Sequence, residues 1–189
     1  DYDDFYFFRN RIYADIEEAF AYLDPVDEVK RTLKSMNFEL SNIQFDTENR
    51  KDKYPSPICF FVEIPFDVRV LYKRESPYFD FQGCLHETGH AIHASSIDNS
   101  CSYSDKYRIS MGVAEIFSMF LERLSRNPSY VNSLRSDAKS DIQIDRIIAK
   151  NNFMDLYFIT FYTANSLMKI EYWERRLDND GASDLYSRL

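Results

Sequence analysis

Residues 76–97 read Ser-Pro-Tyr-Phe-Asp-Phe-Gln-Gly-Cys-Leu-His-Glu-Thr-Gly-His-Ala-Ile-His-Ala-Ser-Ser-Ile, and the fold turns on how this stretch is read. Ser76-Pro77 is an N-cap residue followed by proline at the first helical position, which opens a helix. The helix runs on towards Ile97 with Leu85, Ala91, Ile92 and Ala94 available for burial. Inside it lies His86-Glu87-Thr88-Gly89-His90, the pattern H-E-x-x-H. Two histidines four residues apart on a helix sit about 40° apart around the axis and one turn apart along it, so both rings reach one ion. Glu87 projects about 100° from His86, beside a metal rather than on it. A carboxylate there can take a proton from a zinc-activated water and later give it to a leaving amine. The chemistry implied is metal-assisted amide hydrolysis.

The chain has only three histidines, His86, His90 and His93, all within eight residues. His93 stays open between a hydrogen bond to the metal's surroundings, substrate binding and an ordinary helix histidine. A catalytic zinc site takes three protein ligands and an open position, so the third ligand comes from another element. Glu115 follows His90 by 25 residues, room to end one helix and lay a second beside it. Its neighbours are Val113, Ala114, Ile116 and Phe117, and a carboxylate in so apolar a stretch is costly unless paired or metal-bound. Glu122 returns to the same face seven residues later. It reads either as an acceptor for the free N–H of a ligating histidine or as an exposed charge beside Arg123 and Arg126.

Outward from this stretch the pattern is helical on both sides of a short β region. Phe8, Ile12, Ile16, Ala19 and Leu23 mark one helical face, and Asp24-Pro25 opens a second helix carrying Val26, Val29, Leu33 and Met36. Residues 42–46 read as a short strand and 48–57 as a loop. Residues 58–64 and 67–72 are strand-like runs divided by Pro65-Phe66. The first of these can offer its edge to an extended peptide, or serve the sheet alone. Beyond a polar link from Asp98 to Asp105, a helix is expected from about Tyr107 to Arg126, ended by Asn127-Pro128. One or two long helices follow, with Ile144, Ile147 and Ile148 on the first and Met154, Tyr157, Phe158, Phe161, Leu167 and Met168 on the second.

At 189 residues, with 44% hydrophobic and 16% aromatic side chains, the chain can bury a core without staples. Its net charge of −8 argues against a nucleic-acid partner, which clustered Lys and Arg would have to bind. The most apolar segment, residues 153–173, carries Asp155, Lys169 and Glu171, so no membrane span is expected. Cys59, Cys84 and Cys101 are odd in number and lack metal-ligand spacing; they read as reduced thiols, and the expected location is cytoplasmic. The chain starts Asp-Tyr-Asp-Asp, without Met or signal peptide, which suggests a piece of something longer.

His86-Glu-Thr-Gly-His-Ala-Ile-His93, with Ala-Glu-Ile-Phe-Ser-Met-Phe-Leu-Glu122 at this interval, resembles the zinc oligopeptidases of the thimet oligopeptidase and oligoendopeptidase F group. Their motif is H-E-x-G-H-x-x-H with a glutamate ligand about 25 residues on. Residues 36–40, Asp46, Arg50 and Lys53 are similar to the segment leading into that family's active-site sheet. The carboxypeptidase Taq family is a close second likeness, through Asp67-Val-Arg-Val and His-Glu-Thr-Gly-His. Either resemblance implies His86, His90 and Glu115 as ligands of one zinc ion per chain, Glu87 as general base and a short or unstructured peptide as substrate. The oligopeptidases are several times longer, and their oxyanion-stabilising His and Tyr loop has no counterpart here, because no histidine follows His93.

The expected fold is therefore mainly α with a small antiparallel β-sheet, a zincin-like core in one catalytic-type domain over residues 1–189. Helices fill 1–37, the sheet 38–74, the metal-site helices 75–127 and further helices 128–189. The expected function is zinc-dependent peptide hydrolysis. A metal-binding but catalytically incomplete domain of a larger assembly is the alternative, and a metal-free helical interaction module the third.

Overall fold

The computed structural model describes residues 11–134 and 144–188, and the chain divides into two compact units, Asp1–Ile144 and Asp145–Leu189. In the first, residues 11–17 form helix α1, which tightens into a 3₁₀ turn at Glu18–Phe20. Its buried positions are Tyr13, Ile16, Phe20 and Leu23. The face expected through Ile12 and Ala19 is thus displaced by one residue, and Phe8 lies outside the described residues. The displacement has an aromatic cause: Tyr13 stacks on Tyr78, and Phe20 meets Tyr78 edge-on and Phe81 obliquely. Helix α2, Pro25–Ser35, starts as the sequence indicates, with Asp24 Oδ1 accepting from the Val26 and Asp27 amides. It buries Val26, Val29 and Leu33, whereas Met36 caps its end and is exposed.

The sheet has three strands, β1 (Ile43–Asp46), β2 (Ile58–Glu63) and β3 (Asp67–Leu71), in the order β1-β3-β2. β2 pairs antiparallel with β3 as expected, but β1 runs parallel to β3, so the sheet is mixed. The long connection from β1 to β2 allows this. It is pinned by the fully buried Lys53 ammonium, which donates to the Asp46 carbonyl (2.6 Å), Asp46 Oδ1 (2.9 Å) and the Glu48 carbonyl (2.8 Å). Hydrogen bonds from Arg50 and Lys53 hold the Asp46 carboxyl well below the usual range. Central β3 alternates, burying Val68 and Val70 and exposing Arg69, while Phe60, Phe61 and Val62 of edge strand β2 are exposed.

Helix α3, Pro77–Ser95, buries Leu85, Ala91, Ile92 and Ala94 together with Tyr78, Phe81 and Cys84. Ser76 is its N-cap residue, yet the capping is done by others. Glu17 accepts from the Ser76 hydroxyl and the Tyr78 amide, both at 2.7 Å, and Asp80 Oδ2 accepts from the Glu75 (2.8 Å) and Ser76 (2.7 Å) amides. Two carboxylates thus serve the positive end of the helix. The helix expected over 107–126 is in two parts, because Ser110 starts a helix of its own. A short α4 (Tyr103–Tyr107) ends before it, Ser110 Oγ accepts from the Val113 amide, and α5 runs Met111–Glu122. A 3₁₀ turn, Arg123–Arg126, follows, and Asn127-Pro128 both stops it and opens α6, Pro128–Ser133.

Most of the second unit is α7, one uninterrupted helix, Ile144–Arg175, since no Gly or Pro interrupts it. Arg176 adopts a left-handed conformation (φ 50°), and Asp178 caps α8, Asn179–Tyr186.

Gly89 sets the distance between α3 and α5. A Cβ there would lie 2.5 Å from both the Phe117 carbonyl oxygen and Ser118 Cα, backbone that cannot swing aside. Gly89→Ala is expected to force the helices apart and destabilise the fold by roughly 1–3 kcal/mol, as overpacking does. A melting temperature equal to wild type would refute this.

Asp80 is a second test. Burial pushes its carboxyl up to about 6, against the two amide hydrogen bonds. Because the folded state then holds a proton that the unfolded chain releases near its ordinary 3.8, wild-type stability should fall as pH rises from about 4 to about 6. Asp80→Asn keeps an oxygen for both amides and removes the charge. Its stability relative to wild type should increase over that pH window; parallel stability curves would contradict the assignment.

Candidate metal centre

Three ligand-type side chains converge where α3 faces α5. His86, His90 and Glu115 each offer one atom, and these atoms lie within 4.8 Å of one another. His86 Nε2 is 3.4 Å and His90 Nε2 3.6 Å from Glu115 Oε2. Ligands at about 2.0–2.1 Å from a tetrahedral zinc are separated by about 3.3–3.4 Å, so the donor spacing suits such an ion. Two imidazoles and one carboxylate also form a donor set suited to zinc.

Two of the three side chains are held by a further group. Glu115 Oε2 accepts from the Ser118 hydroxyl at 2.6 Å, one turn along α5 and fully buried beneath Gly89. His86 Nδ1 is 2.7 Å from Glu122 Oε2, so of the two readings of Glu122 the structure supports the acceptor. Arg126 Nη2 lies 3.4 Å from the other oxygen, Glu122 Oε1. His93 is not among the converging atoms: its ring stacks on Phe117, with centroids 4.1 Å apart and 16° between planes.

Glu87 sits against the sheet, where its carboxylate accepts from the Cys59 backbone N–H of β2. Burial raises its proton affinity and the charge of Glu115 adds to this, while His86 and the Cys59 amide oppose it. Burial disfavours the imidazolium of His86, but the Glu122 hydrogen bond and the charges of Glu122, Glu87 and Glu115 outweigh it, so its pKa is raised. His90 moves the other way, lowered by burial and by the neighbouring His86. Burial alone lowers His93.

His86, His90 and Glu115 converge with Glu87 near them, and Ser118 and Gly89 hold that arrangement. Ser118 had a signal available, a hydroxyl three residues after a ligand on the same helix. Gly89 had one too, a glycine in mid-helix between the histidines. Cys59, Cys84 and Cys101 are all free thiols. Among the described residues no helix is long and apolar enough to cross a membrane.

Residues 18–171 match the family model of the carboxypeptidase Taq (M32) metallopeptidases. No curated protein matches the chain. Among solved structures, that of CHT is 15% identical, with 77% of this chain and 34% of that one covered and a TM-score of 0.45. Trypanosoma cruzi metallocarboxypeptidase 1 is 16% identical, with 73% and 34% covered and a TM-score of 0.36. The chain thus spans about a third of the length of these structures. The thimet oligopeptidase and oligoendopeptidase F likeness gives way to the other family. His86, His90 and Glu115 fit both groups and cannot separate them, whereas Asp67-Val-Arg-Val carries only the second likeness. With its family match extending from the end of α1 through most of α7, the chain belongs to the carboxypeptidase Taq (M32) metallopeptidases.

Proposed function

We propose that this chain carries the zinc-binding catalytic core of a peptidase acting on short or unstructured peptides, with His86, His90 and Glu115 holding one zinc ion and Glu87 as general base. The observation that carries the reading is the donor spacing of 3.4 and 3.6 Å around Glu115 Oε2. Zinc held there would supply a Lewis acid for the scissile carbonyl and lower the pKa of the attacking water. Glu87 takes the proton from that water and returns it to the leaving nitrogen. Its raised proton affinity suits the second half of that task, and the Cys59 amide fixes its carboxylate for the first. β2 is the edge strand beside Glu87, so an extended peptide pairing along it would present its carbonyl near the base. The family name and the name of the trypanosomal structure point to removal of C-terminal residues as the mode of hydrolysis.

A second reading is a metal-binding core that acts only within a larger assembly. Glu87→Gln separates the two. It keeps size and helix and removes the proton acceptor, so zinc should stay bound while cleavage of a quenched fluorescent peptide falls by about 10²–10⁴-fold. Zinc-replete wild type with no turnover above the variant would leave the assembly reading. Glu115→Ala should weaken zinc by more than the roughly 10–100-fold that loss of an outer partner costs. Unchanged affinity by competition with a chromogenic chelator would place the third ligand elsewhere.

A further inference from the structure

We infer that Glu122 and Arg126 are positioning residues that set the tautomer and direction of the His86 ring, an inference that rests on His86 being a metal ligand. A neutral imidazole carries one proton and can place it on either nitrogen; only the bare nitrogen can bind a metal. His86 Nε2 faces Glu115 and the converging ligand atoms, and Nδ1 faces Glu122 Oε2 at 2.7 Å. An ionised carboxylate can only accept, so the proton belongs on Nδ1 and the lone pair of Nε2 points into the site.

Glu122 is in turn held from its other side. Arg126 lies four residues on, at the end of the 3₁₀ turn, and its Nη2 is 3.4 Å from Oε1. The two side chains are only 21% and 10% exposed, so this pair is less screened by water than a surface ion pair. Ser125 ties the turn to α5 by donating to the Glu122 carbonyl at 2.7 Å. One oxygen of Glu122 thus faces Arg126 and the other faces His86, which leaves the carboxylate little freedom to rotate away from the ring. His90 has no such carboxylate: an Ala114 backbone group is the hydrogen-bond partner that supports its charged form. The pair acts on one ligand of the three.

The test uses the whole chain with ¹⁵N-labelled histidine. In metal-free wild type at a pH where His86 is neutral, long-range ¹H–¹⁵N spectra should show it protonated at Nδ1. In Glu122→Ala the His86 nitrogens should report a mixture of tautomers, and zinc affinity should fall about 10–100-fold. Glu122→Gln keeps an acceptor oxygen, so it should retain the Nδ1–H form and lose less affinity than Glu122→Ala. Arg126→Met should keep the tautomer but weaken zinc several-fold, and should shift the visible absorption of the cobalt-substituted protein. If wild type binds zinc and Glu122→Ala matches its affinity and its tautomer, this inference falls and the metal reading stands. If wild type takes up no zinc, both fall. Should Glu122→Ala not fold, Glu122→Gln and Arg126→Met decide: affinities equal to wild type in both overturn the positioning role.

Discussion

The approach of α5 onto α3 at Gly89 is the contact on which the rest of the site depends. With only a hydrogen at that position, the backbone at Phe117 and Ser118 comes closer than any side chain would allow. Two imidazoles four residues apart are a property of one helix, but their convergence with Glu115 is a property of two. The same contact buries Ser118, whose hydroxyl reaches two acceptors, both of Glu115: the backbone carbonyl at 3.0 Å and the carboxylate at 2.6 Å. A helix–helix distance is thereby converted into the orientation of a ligand.

That convergence brings Glu87, Glu115 and Glu122 into one region, and like charges there oppose folding. Carboxylates brought close together in a partly buried site repel one another more strongly than they would in water. Each of the three has a donor of its own: the Cys59 amide for Glu87, the Ser118 hydroxyl for Glu115, and His86 with Arg126 for Glu122. The donors come from a strand, a helix and a 3₁₀ turn. Holding the acids apart and pointing them correctly are therefore one structural task.

Much of this was legible. The His86-Glu87-His90 helix, the Asp24-Pro25 cap and the burial of Leu85, Ala91, Ile92 and Ala94 follow from local spacing, and local spacing is what a sequence displays directly. Features that depend on distant partners were hidden. Ser76 looked like a capping side chain until Glu17 and Asp80 took the amides of that turn. The sheet looked antiparallel because β2 and β3 are consecutive, and nothing local to β1 reports that it joins β3 in parallel. The family likeness failed in its first choice for a related reason: the His86, His90 and Glu115 pattern fits both groups, so it does not tell one lineage from the other.

α5 shows why ordinary pattern reading breaks down near such a site. Ser118 and Glu122 lie about 60° and 20° around the helix from Glu115 at 100° per residue, so all three share the side turned towards α3. Val113, Ile116 and Phe120 lie well away from that side and are exposed. The amphipathic rule would bury the apolar residues and expose the acids. Here the polar side faces inward, because two histidines, a backbone close to Gly89 and a guanidinium are there to receive it, and an inward acid is tolerable only where such partners exist. In the sequence, the mark of this inversion was an acid standing in a run of hydrophobic residues. Glu115 was the residue in that run whose inward placement required a reason, and the reason lies in the helix it faces.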